Sequence, residues 1–372
     1  MTETHGWERP LHFSGAETPE ALGYKRNEDF SQVLKESAAI EHSIGLIDLS
    51  SFSCFKITGA DSAAFLDQLT PARLPKIGRA ALCHALNDNG TFLAEWTITR
   101  LTEQKFIIFS GAAAEATDMH LLELAAAKFS GTVNITNGTE KTASILLSGP
   151  KSREALRKIT ETDLSSAAMP WMSARLTTIA GCPALLVRMS YTGALGYEIH
   201  TEPQYITAIH DALKASSEQL NYVGMKALNG LRLEKAFPAY GSELTNEVTF
   251  IEAGMTRFWD RNKPNFRGKS AIETAEKENK KQMLVYLELD QAMTESLQVD
   301  SMGNEPIYDG DNIVGLTTSG GFGARVKKSL AFGYIEPIAQ NKALSALIQG
   351  EMIPLKILDQ AQFDPDYRII KA

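Results

Sequence analysis

The pattern of apolar and polar positions in the first part of the chain predicts a mixture of helices and strands. Apolar side chains recur at helical spacing over residues 28–43 and 60–69, the second with Asp61 as its expected N-cap. Strand-like runs follow at residues 80–86, 92–100 and 105–110. An Ala/Leu-rich helix is expected over residues 112–129. Because helices and strands alternate without a regular βαβ repeat, an α+β fold is expected rather than a doubly wound sheet.

The remainder of the chain divides into two parts of different character. Residues 171–260 again mix predicted strands with helices, the last helix over residues 224–234. Beyond about residue 280 the predicted elements are short strands punctuated by glycines, at residues 283–289, 313–318, 329–335 and 353–358. This texture predicts a compact C-terminal β-domain, either a sandwich or a barrel.

Length and composition exclude several classes of protein. A chain of 372 residues exceeds one ordinary core, so two or three domains are expected. Hydrophobic residues make up 44% and charged residues 22%, and no apolar run reaches the roughly 20 residues of a membrane helix. The net charge of −8 comes without a dense basic cluster, which argues against nucleic acid as a partner. The N-terminus shows no secretory pattern, and a cytoplasmic protein acting on a small molecule is expected.

The reactive residue types give little sign of metal or nucleophilic chemistry. The three cysteines form no CxxC pair, and the seven histidines show no metal-ligand spacing, so we expect neither disulfides nor a metal site. A dinucleotide fingerprint, a Walker loop and a nucleophile elbow are all missing from the sequence. What stands out instead is a set of polar segments beside glycines, at residues 87–100, 190–199, 229–241, 265–269 and 318–322.

These five segments, in this order and spacing, resemble the glycine-cleavage T-protein family of folate-binding aminomethyltransferases. Further similarity at residues 6–10, 45–52 and 96–101 is nearest to the folate-binding C-terminal region of dimethylglycine and sarcosine dehydrogenases. The resemblance implies a three-domain cloverleaf around bound tetrahydrofolate, with a C-terminal β-barrel. The domains it implies are residues 1–50 with 146–275, residues 51–145, and residues 276–372.

The resemblance also implies which residues bind tetrahydrofolate. A pterin presents neighbouring hydrogen-bond donors, which the Glu198 carboxylate can accept; the alternative is a strand glutamate facing solvent. Arg232 matches the family's arginine at the folate site, and a structural ion pair is its other expected role. Tyr240 and Trp171 are candidates to pack on the ligand, each with an ordinary half-buried or core position as the alternative. Tyr191, in the turn before Glu198, completes the candidate set.

Glu95 is the candidate catalytic residue, because it matches the aspartate that activates the folate ring in the T-protein. The extra methylene carries its carboxylate roughly 1.5 Å further, and a displacement of about 1 Å can cost on the order of a hundredfold in rate. Thr91, Ala94 and Ala194 also depart from the family pattern, so the acids around the ring are fewer. Either the pocket is adapted to the longer side chain or the reaction differs.

The resemblance favours a folate-dependent one-carbon transferase or demethylase. An N-methyl donor would give 5,10-methylenetetrahydrofolate, and an O- or S-methyl donor would give 5-methyltetrahydrofolate. The chain lacks the flavin-binding half of the dehydrogenases, so amine oxidation would need a separate flavoprotein partner. Two alternatives stay open: a non-catalytic folate-binding protein, and the folate subunit of a flavin-dependent demethylating complex.

Overall fold

The computed structural model describes residues 1–4, 6–13, 23–27, 29–217 and 219–372. In chain order its strands are β1 (Thr2–Thr4), β2 (Trp7–Arg9), β3 (Ile44–Asp48), β4 (Ser53–Thr58), β5 (Arg79–Leu86), β6 (Phe92–Thr102), β7 (Lys105–Ser110), β8 (Asn134–Asn137), β9 (Ala143–Ser148), β10 (Ala174–Ile179), β11 (Cys182–Val187), β12 (Gly196–Thr201), β13 (Leu220–Tyr222), β14 (Met283–Leu289), β15 (Pro306–Asp309), β16 (Asn312–Gly323), β17 (Lys328–Ile335), β18 (Leu344–Ile348) and β19 (Glu351–Leu358). The α-helices are α1 (Phe30–His42), α2 (Ser62–Asp67), α3 (Glu115–Ala127), α4 (Ser152–Arg157), α5 (Pro203–Ser216), α6 (Met225–Glu234), α7 (Lys269–Ala275), α8 (Gln291–Leu297) and α9 (Arg368–Lys371). The helix predicted over residues 28–43 is α1, and residue 28 itself lies outside the described residues.

The first sheet has the strand order β10-β11-β12-β9-β3-β13. Its β13–β3 pair is parallel and the other pairs are antiparallel. Alternation along β12 buries Tyr197 and Ile199 in a core shared with Leu213 of α5. The same alternation turns Glu198 and His200 to the opposite face, where they are available to a ligand.

The second sheet is antiparallel, with the order β5-β6-β7-β4-β8. One face packs on helices α2 and α3, through Phe65 and Leu122, against Ala94 and Trp96 of β6. Successive side chains of a strand point to opposite faces, so Glu95 lies on the face away from this core. Both candidate carboxylates thus lie on the faces of their sheets that are opposite these two cores.

Asp61 stands at the N-cap position of α2, as predicted, but its side chain makes no capping hydrogen bond. Its backbone carbonyl accepts from the Phe65 N–H at 2.9 Å. Its carboxylate instead accepts a hydrogen bond of 2.7 Å from the backbone N–H of Thr132. The cap position is therefore confirmed, whereas the side chain is engaged by a distant loop.

The C-terminal domain is a closed barrel with the strand order β14-β17-β16-β15-β18-β19. The α+β class with a C-terminal barrel is confirmed, although β15 and β18 were not predicted. Residues 318–322, a loop in the family resemblance, belong to β16, whose register shifts at a bulge between Thr317 and Ser319. The bulge re-aims the side chains that follow it.

The barrel is held against the rest of the molecule chiefly by α6. A side chain at Gly230 would place its Cβ 2.5 Å from the Phe322 carbonyl oxygen, so helix and strand approach closely because this residue is glycine. Asn229 adds a hydrogen bond of 3.0 Å to the Gly320 carbonyl. The domain boundaries themselves stay predictions; the one placed between residues 145 and 146 falls inside β9.

Candidate functional site

A cavity of about 1340 Å³ lies between the two sheets. Its wall is built from β5, β6 and the end of β7 on one side, and from β9, β12 and residues 189–191 on the other. Residues 237–241 and 255–260 and the side chains of Tyr367 and Lys371 complete it. Ligand pockets usually measure roughly 300–1,000 Å³, so the cavity has room for a drug-sized molecule together with a small second substrate.

Glu95 projects into this cavity from β6. Its Oε2 lies 2.9 Å from Nε2 of His84, which stands directly opposite on β5. The Glu95 side chain is 19% exposed, whereas His84 is fully buried. Since a carboxylate that is partly open to a cavity can exchange protons with a bound molecule, Glu95 can act as a general acid or base.

Glu198 reaches the same cavity from β12. Its Oε2 lies 3.3 Å from Nε2 of His200, an ion-pair distance without hydrogen-bond geometry. His200 is fixed from its other side, because its Nδ1 lies 2.7 Å from Ser144 Oγ and its ring stacks on Phe109 at 3.9 Å. No described residue donates a hydrogen bond to the Glu198 carboxylate, so its acceptors stay available to a ligand.

Trp171 lines the cavity beside Lys371 and Tyr367. Its indole Nε1 is buried and makes no hydrogen bond with any described residue. Indole N–H is a donor only, and a buried donor without an acceptor costs about 1–3 kcal/mol. A polar ligand with an acceptor at this position would satisfy it.

Tyr240 and Tyr191 also line the cavity, and both hydroxyls are directed to backbone carbonyls. Tyr240 donates to the Leu93 carbonyl at 2.5 Å, two residues before Glu95, and Tyr191 donates to the Pro238 carbonyl at 3.4 Å. Burial raises the pKa of each phenol, so both stay protonated donors at neutral pH. Their rings, rather than charged oxygens, are what they present to a ligand.

Arg232 is not among the described residues that line the cavity. All three guanidinium nitrogens are engaged elsewhere: Nη1 binds Glu243 at 2.9 Å and Nη2 binds Ser319 Oγ at 2.7 Å. Nε donates to Asn229 at 3.0 Å. Its ionic partner is thus Glu243, which is fully buried in the loop after α6. Both side chains also contact Ser319 of β16, and this contact links α6 and its following loop to the barrel.

The five polar segments therefore serve two different purposes. Residues 229–241 and 318–322 contact each other at the barrel junction, and Arg267 pairs with Asp88 at 3.1 Å, which joins residues 265–269 to 87–100. The side chains that line the cavity come from the middle of 87–100, from 190–199 and from the end of 229–241. Much of the family pattern is thus explained by packing between domains.

Several cavity residues had no signal in the sequence. Cationic side chains at its wall outnumber the acids, and belong to Arg9, Arg73, Arg79, Arg257 and Lys371. They are scattered along the chain, so no basic cluster could be counted. The acids are Glu95, Glu198 and Asp260, and this balance favours a ligand that carries negative charge.

Asp118 of α3 is a buried carboxyl behind the cavity wall. Its Oδ2 accepts hydrogen bonds from Trp96 Nε1 at 2.9 Å and from the cavity-lining Ser110 hydroxyl, while Oδ1 has no partner among the described residues. Burial raises the pKa of Asp118 to about 6, against smaller lowering by the two hydrogen bonds. Apolar surroundings favour the neutral acid.

This shift predicts a stability that depends on pH through Asp118. A carboxyl whose pKa is raised on folding destabilises the folded state as pH rises from about 4 to about 6, by up to about 3 kcal/mol. Asp118→Asn removes this pH-dependent destabilisation. The difference in free energy of unfolding, variant minus wild type, should therefore increase by about 2–3 kcal/mol from pH 4 to pH 7. Urea unfolding of both proteins at the two pH values measures it. A difference that is independent of pH would contradict the assignment.

Within the described residues, no group of three or more His, Cys, Asp or Glu side chains is arranged to hold a metal ion. In the same part of the chain, no helix combines the length and the apolar character needed to cross a membrane. The cytoplasmic location stays a prediction.

Comparisons with known proteins agree with the fold. A family model described as the GCVT N-terminal domain matches residues 1–263, and one described as the glycine cleavage T-protein C-terminal barrel domain matches residues 283–364. The crystal structure of glycine cleavage system aminomethyltransferase T from Bartonella henselae superposes with a TM-score of 0.83, covering 98% of this chain and 94% of that chain at 23% identity.

Two kinds of relative are similar along most of the sequence. Mitochondrial dimethylglycine dehydrogenase of Rattus norvegicus is 33% identical over 335 residues, which are 89% of this chain but 38% of that protein. The aminomethyltransferase of Desulfitobacterium hafniense strain Y51 is 26% identical over 360 residues, 95% of this chain and 91% of the relative. The chain thus spans well under half the length of the dehydrogenase that it matches. The two family models together show that this chain belongs to the glycine-cleavage T-protein family.

Proposed function

We propose that this protein binds tetrahydrofolate in the cavity between its two sheets and transfers a one-carbon unit from a small methylated donor. The observation that carries the proposal is the presence of two carboxylates, Glu95 and Glu198, on facing walls of one cavity. They stand on the scaffold of a family whose named members include aminomethyltransferases. When bound, tetrahydrofolate supplies the ring nitrogens that take up the one-carbon unit.

The residues present fit such a ligand. Glu198 offers acceptors for the donor edge of a pterin, and charge-assisted hydrogen bonds of this kind are about twice as strong as neutral ones. Trp171 offers a buried indole N–H without a partner, and Tyr191 and Tyr240 offer ring faces. The excess of cationic side chains at the wall suits the carboxylates of a folate.

Glu95 is the group that holds or moves a proton. It lies on the side of β6 that faces the cavity, and its partial exposure of 19% leaves it open to a bound substrate. General acid–base catalysis by a placed carboxylate contributes typically 10²–10⁴-fold in rate. The neighbouring Tyr240 and Tyr191 stay protonated, because burial and, to a smaller extent, the Glu95 charge raise the pKa of their phenols.

The relatives guide the choice of methyl donor. A dimethylglycine dehydrogenase matches this chain over 38% of its own length. We infer that an N-methylated amine is the one-carbon source, and that a separate flavoprotein oxidises it before transfer. The product would then be 5,10-methylenetetrahydrofolate. The second candidate, a folate-binding subunit without activity of its own, is favoured by the departures Ala94 and Ala194.

A binding and turnover experiment tests the proposal. Tetrahydrofolate is titrated into the protein by calorimetry, and methylene- and methyl-tetrahydrofolate are then quantified with N-, O- or S-methyl donors, with and without an amine-oxidising flavoprotein. We expect micromolar or tighter binding and methylene-tetrahydrofolate from the N-methyl donor. Failure to bind tetrahydrofolate would overturn the proposal, whereas binding without turnover would favour the folate-subunit alternative.

Glu198→Gln is expected to weaken tetrahydrofolate binding by about 1–3 kcal/mol, or roughly 5- to 150-fold in Kd. The amide keeps the size of the side chain but loses the charge and one acceptor, so a ring donor is left without a partner. Calorimetry measures the change. Glu202→Gln, on an exposed residue just beyond β12, is the matched control and should leave the Kd unaltered. Unchanged affinity in the Glu198 variant would show that the pterin is recognised elsewhere.

A further inference from the structure

The histidine opposite Glu95 has no assigned role in the reaction proposed above. His84 of β5 is fully buried, and its ring packs edge-on against Phe92, Phe250 and Phe258, with centroid separations of 5.5, 6.0 and 5.1 Å. Its polar contact is the 2.9 Å hydrogen bond between Nε2 and Oε2 of Glu95. Three aromatic rings therefore fix the imidazole, and the imidazole in turn contacts the candidate catalytic carboxylate.

The surroundings of the ring decide its protonation. Nδ1 of His84 is buried and has no hydrogen-bond partner among the described residues. The tautomer protonated at Nδ1 would bury an N–H donor without an acceptor, which costs about 1–3 kcal/mol. The tautomer protonated at Nε2 avoids this cost and donates to Glu95.

One oxygen of Glu95 is thereby held while the other stays available. No described residue donates a hydrogen bond to Oε1, and Glu95 lines the cavity. A free glutamate samples several rotamers, and fixing such a side chain costs up to about 1.5–2 kcal/mol. The hydrogen bond from His84 restricts the rotamer of Glu95 before a substrate binds.

We propose that His84 is a positioning residue, which donates through Nε2 to Glu95 and aims the second carboxylate oxygen at the bound substrate. The longer glutamate at this position requires such a restraint more than an aspartate does, since a misplacement of about 1 Å can cost on the order of a hundredfold in rate. The inference rests on the proposed function, because it assigns His84 a part in that reaction.

The test is a double-mutant cycle read in turnover and in affinity. The assay uses formaldehyde and tetrahydrofolate, which condense to 5,10-methylenetetrahydrofolate and water without an oxidant. The rate of product formation is measured and the uncatalysed rate is subtracted. His84→Phe should lower kcat by about 10- to 100-fold, with the tetrahydrofolate Kd and the circular dichroism spectrum unchanged. His84→Gln, which keeps a donor, should recover at least part of this loss. In the Glu95→Gln background, His84→Phe should cost less than about threefold, because the group it positions has been removed.

Matched controls separate this inference from the proposed function. His120→Phe, on an exposed residue of α3, should leave turnover unchanged. An equal loss from His84→Phe in both backgrounds, or no loss in an active wild type, would overturn the positioning role alone. Absence of tetrahydrofolate binding in the wild type would overturn the proposed function as well.

A readout independent of activity completes the test and does not require a folded variant. ¹⁵N NMR of imidazole-labelled wild-type protein should show a proton on Nε2 of His84, the nitrogen that contacts Glu95. A ring that carries its proton on Nδ1 and none on Nε2 would overturn the proposal even if every His84 variant failed to fold.

Discussion

Glu95→Gln is expected to lower the rate of one-carbon transfer by about 10²–10⁴-fold while the Kd for tetrahydrofolate changes by less than about threefold. Glutamine keeps the length of the side chain and can still accept the hydrogen bond from His84, so the cavity wall keeps its shape. What it removes is the charge and the site that accepts or returns a proton. The loss should therefore fall on kcat rather than on binding. Turnover with formaldehyde and calorimetry with tetrahydrofolate measure the two separately.

The matched control is Glu103→Gln, on an exposed glutamate between β6 and β7, which should alter neither quantity. Glu95→Asp addresses the departure from the family more directly. The shorter side chain withdraws from the 2.9 Å contact with His84, so an intermediate loss is expected. If Glu95→Gln retained more than half of the wild-type turnover, the carboxylate would have no part in proton transfer, and the folate-subunit alternative would gain support.

The position of Glu95 is one feature that the sequence predicts well, because a strand has a period of two residues. Ala94 and Trp96 are apolar neighbours in a strand-like run, and both are fully buried in the second domain's core. Their alternation leaves Glu95 on the opposite face. The same reasoning applies to Glu198, which stands between the buried Tyr197 and Ile199. Local periodicity thus places both carboxylates on the faces opposite these cores, but only the tertiary structure shows that the two faces enclose one cavity.

The contact between His84 and Glu95 could not be predicted in the same way, since it depends on register. The β5–β6 ladder pairs Leu86 with Phe92 but Ala85 with Ala94, because a bulge intervenes. If the two strands continued in register from the Leu86–Phe92 pair without a bulge, His84 would stand opposite Ala94. A shift of one residue moves every cross-strand partner to the other face. The histidine therefore looked isolated in the sequence.

The meaning of the glycine-rich family segments also required the fold. Gly230 and the glycines of residues 318–322 belong to segments that the family resemblance connects with folate binding, yet they allow α6 and β16 to approach closely at the barrel junction. Such a contact joins residues about ninety positions apart, and no local pattern reports it. Glycine marks close backbone approach equally well at a ligand and at a neighbouring element.

Arg232→Met is expected to lower the free energy of unfolding by about 3–5 kcal/mol, the usual cost of leaving one partner of a buried ion pair without the other. The Glu243 carboxylate is fully buried and also accepts hydrogen bonds from the Ala239 backbone and from Ser319. Those contacts persist in the variant, so the carboxylate stays in place without its counter-ion. Urea unfolding of the variant and the wild type measures this loss of stability.

The same variant decides between the two expected roles of this arginine. If Arg232 acts through the junction, tetrahydrofolate affinity of the folded variant should stay within about threefold of wild type, because the residue is not among those that line the cavity. Arg232→Met combined with Glu243→Gln should recover part of the stability, since the uncompensated charge is removed while the acceptor for Ala239 remains. Arg267→Met, which breaks the exposed pair with Asp88, is the control and should cost about 1 kcal/mol or less. A large loss of folate affinity with little loss of stability would reverse the assignment and place the arginine at the ligand.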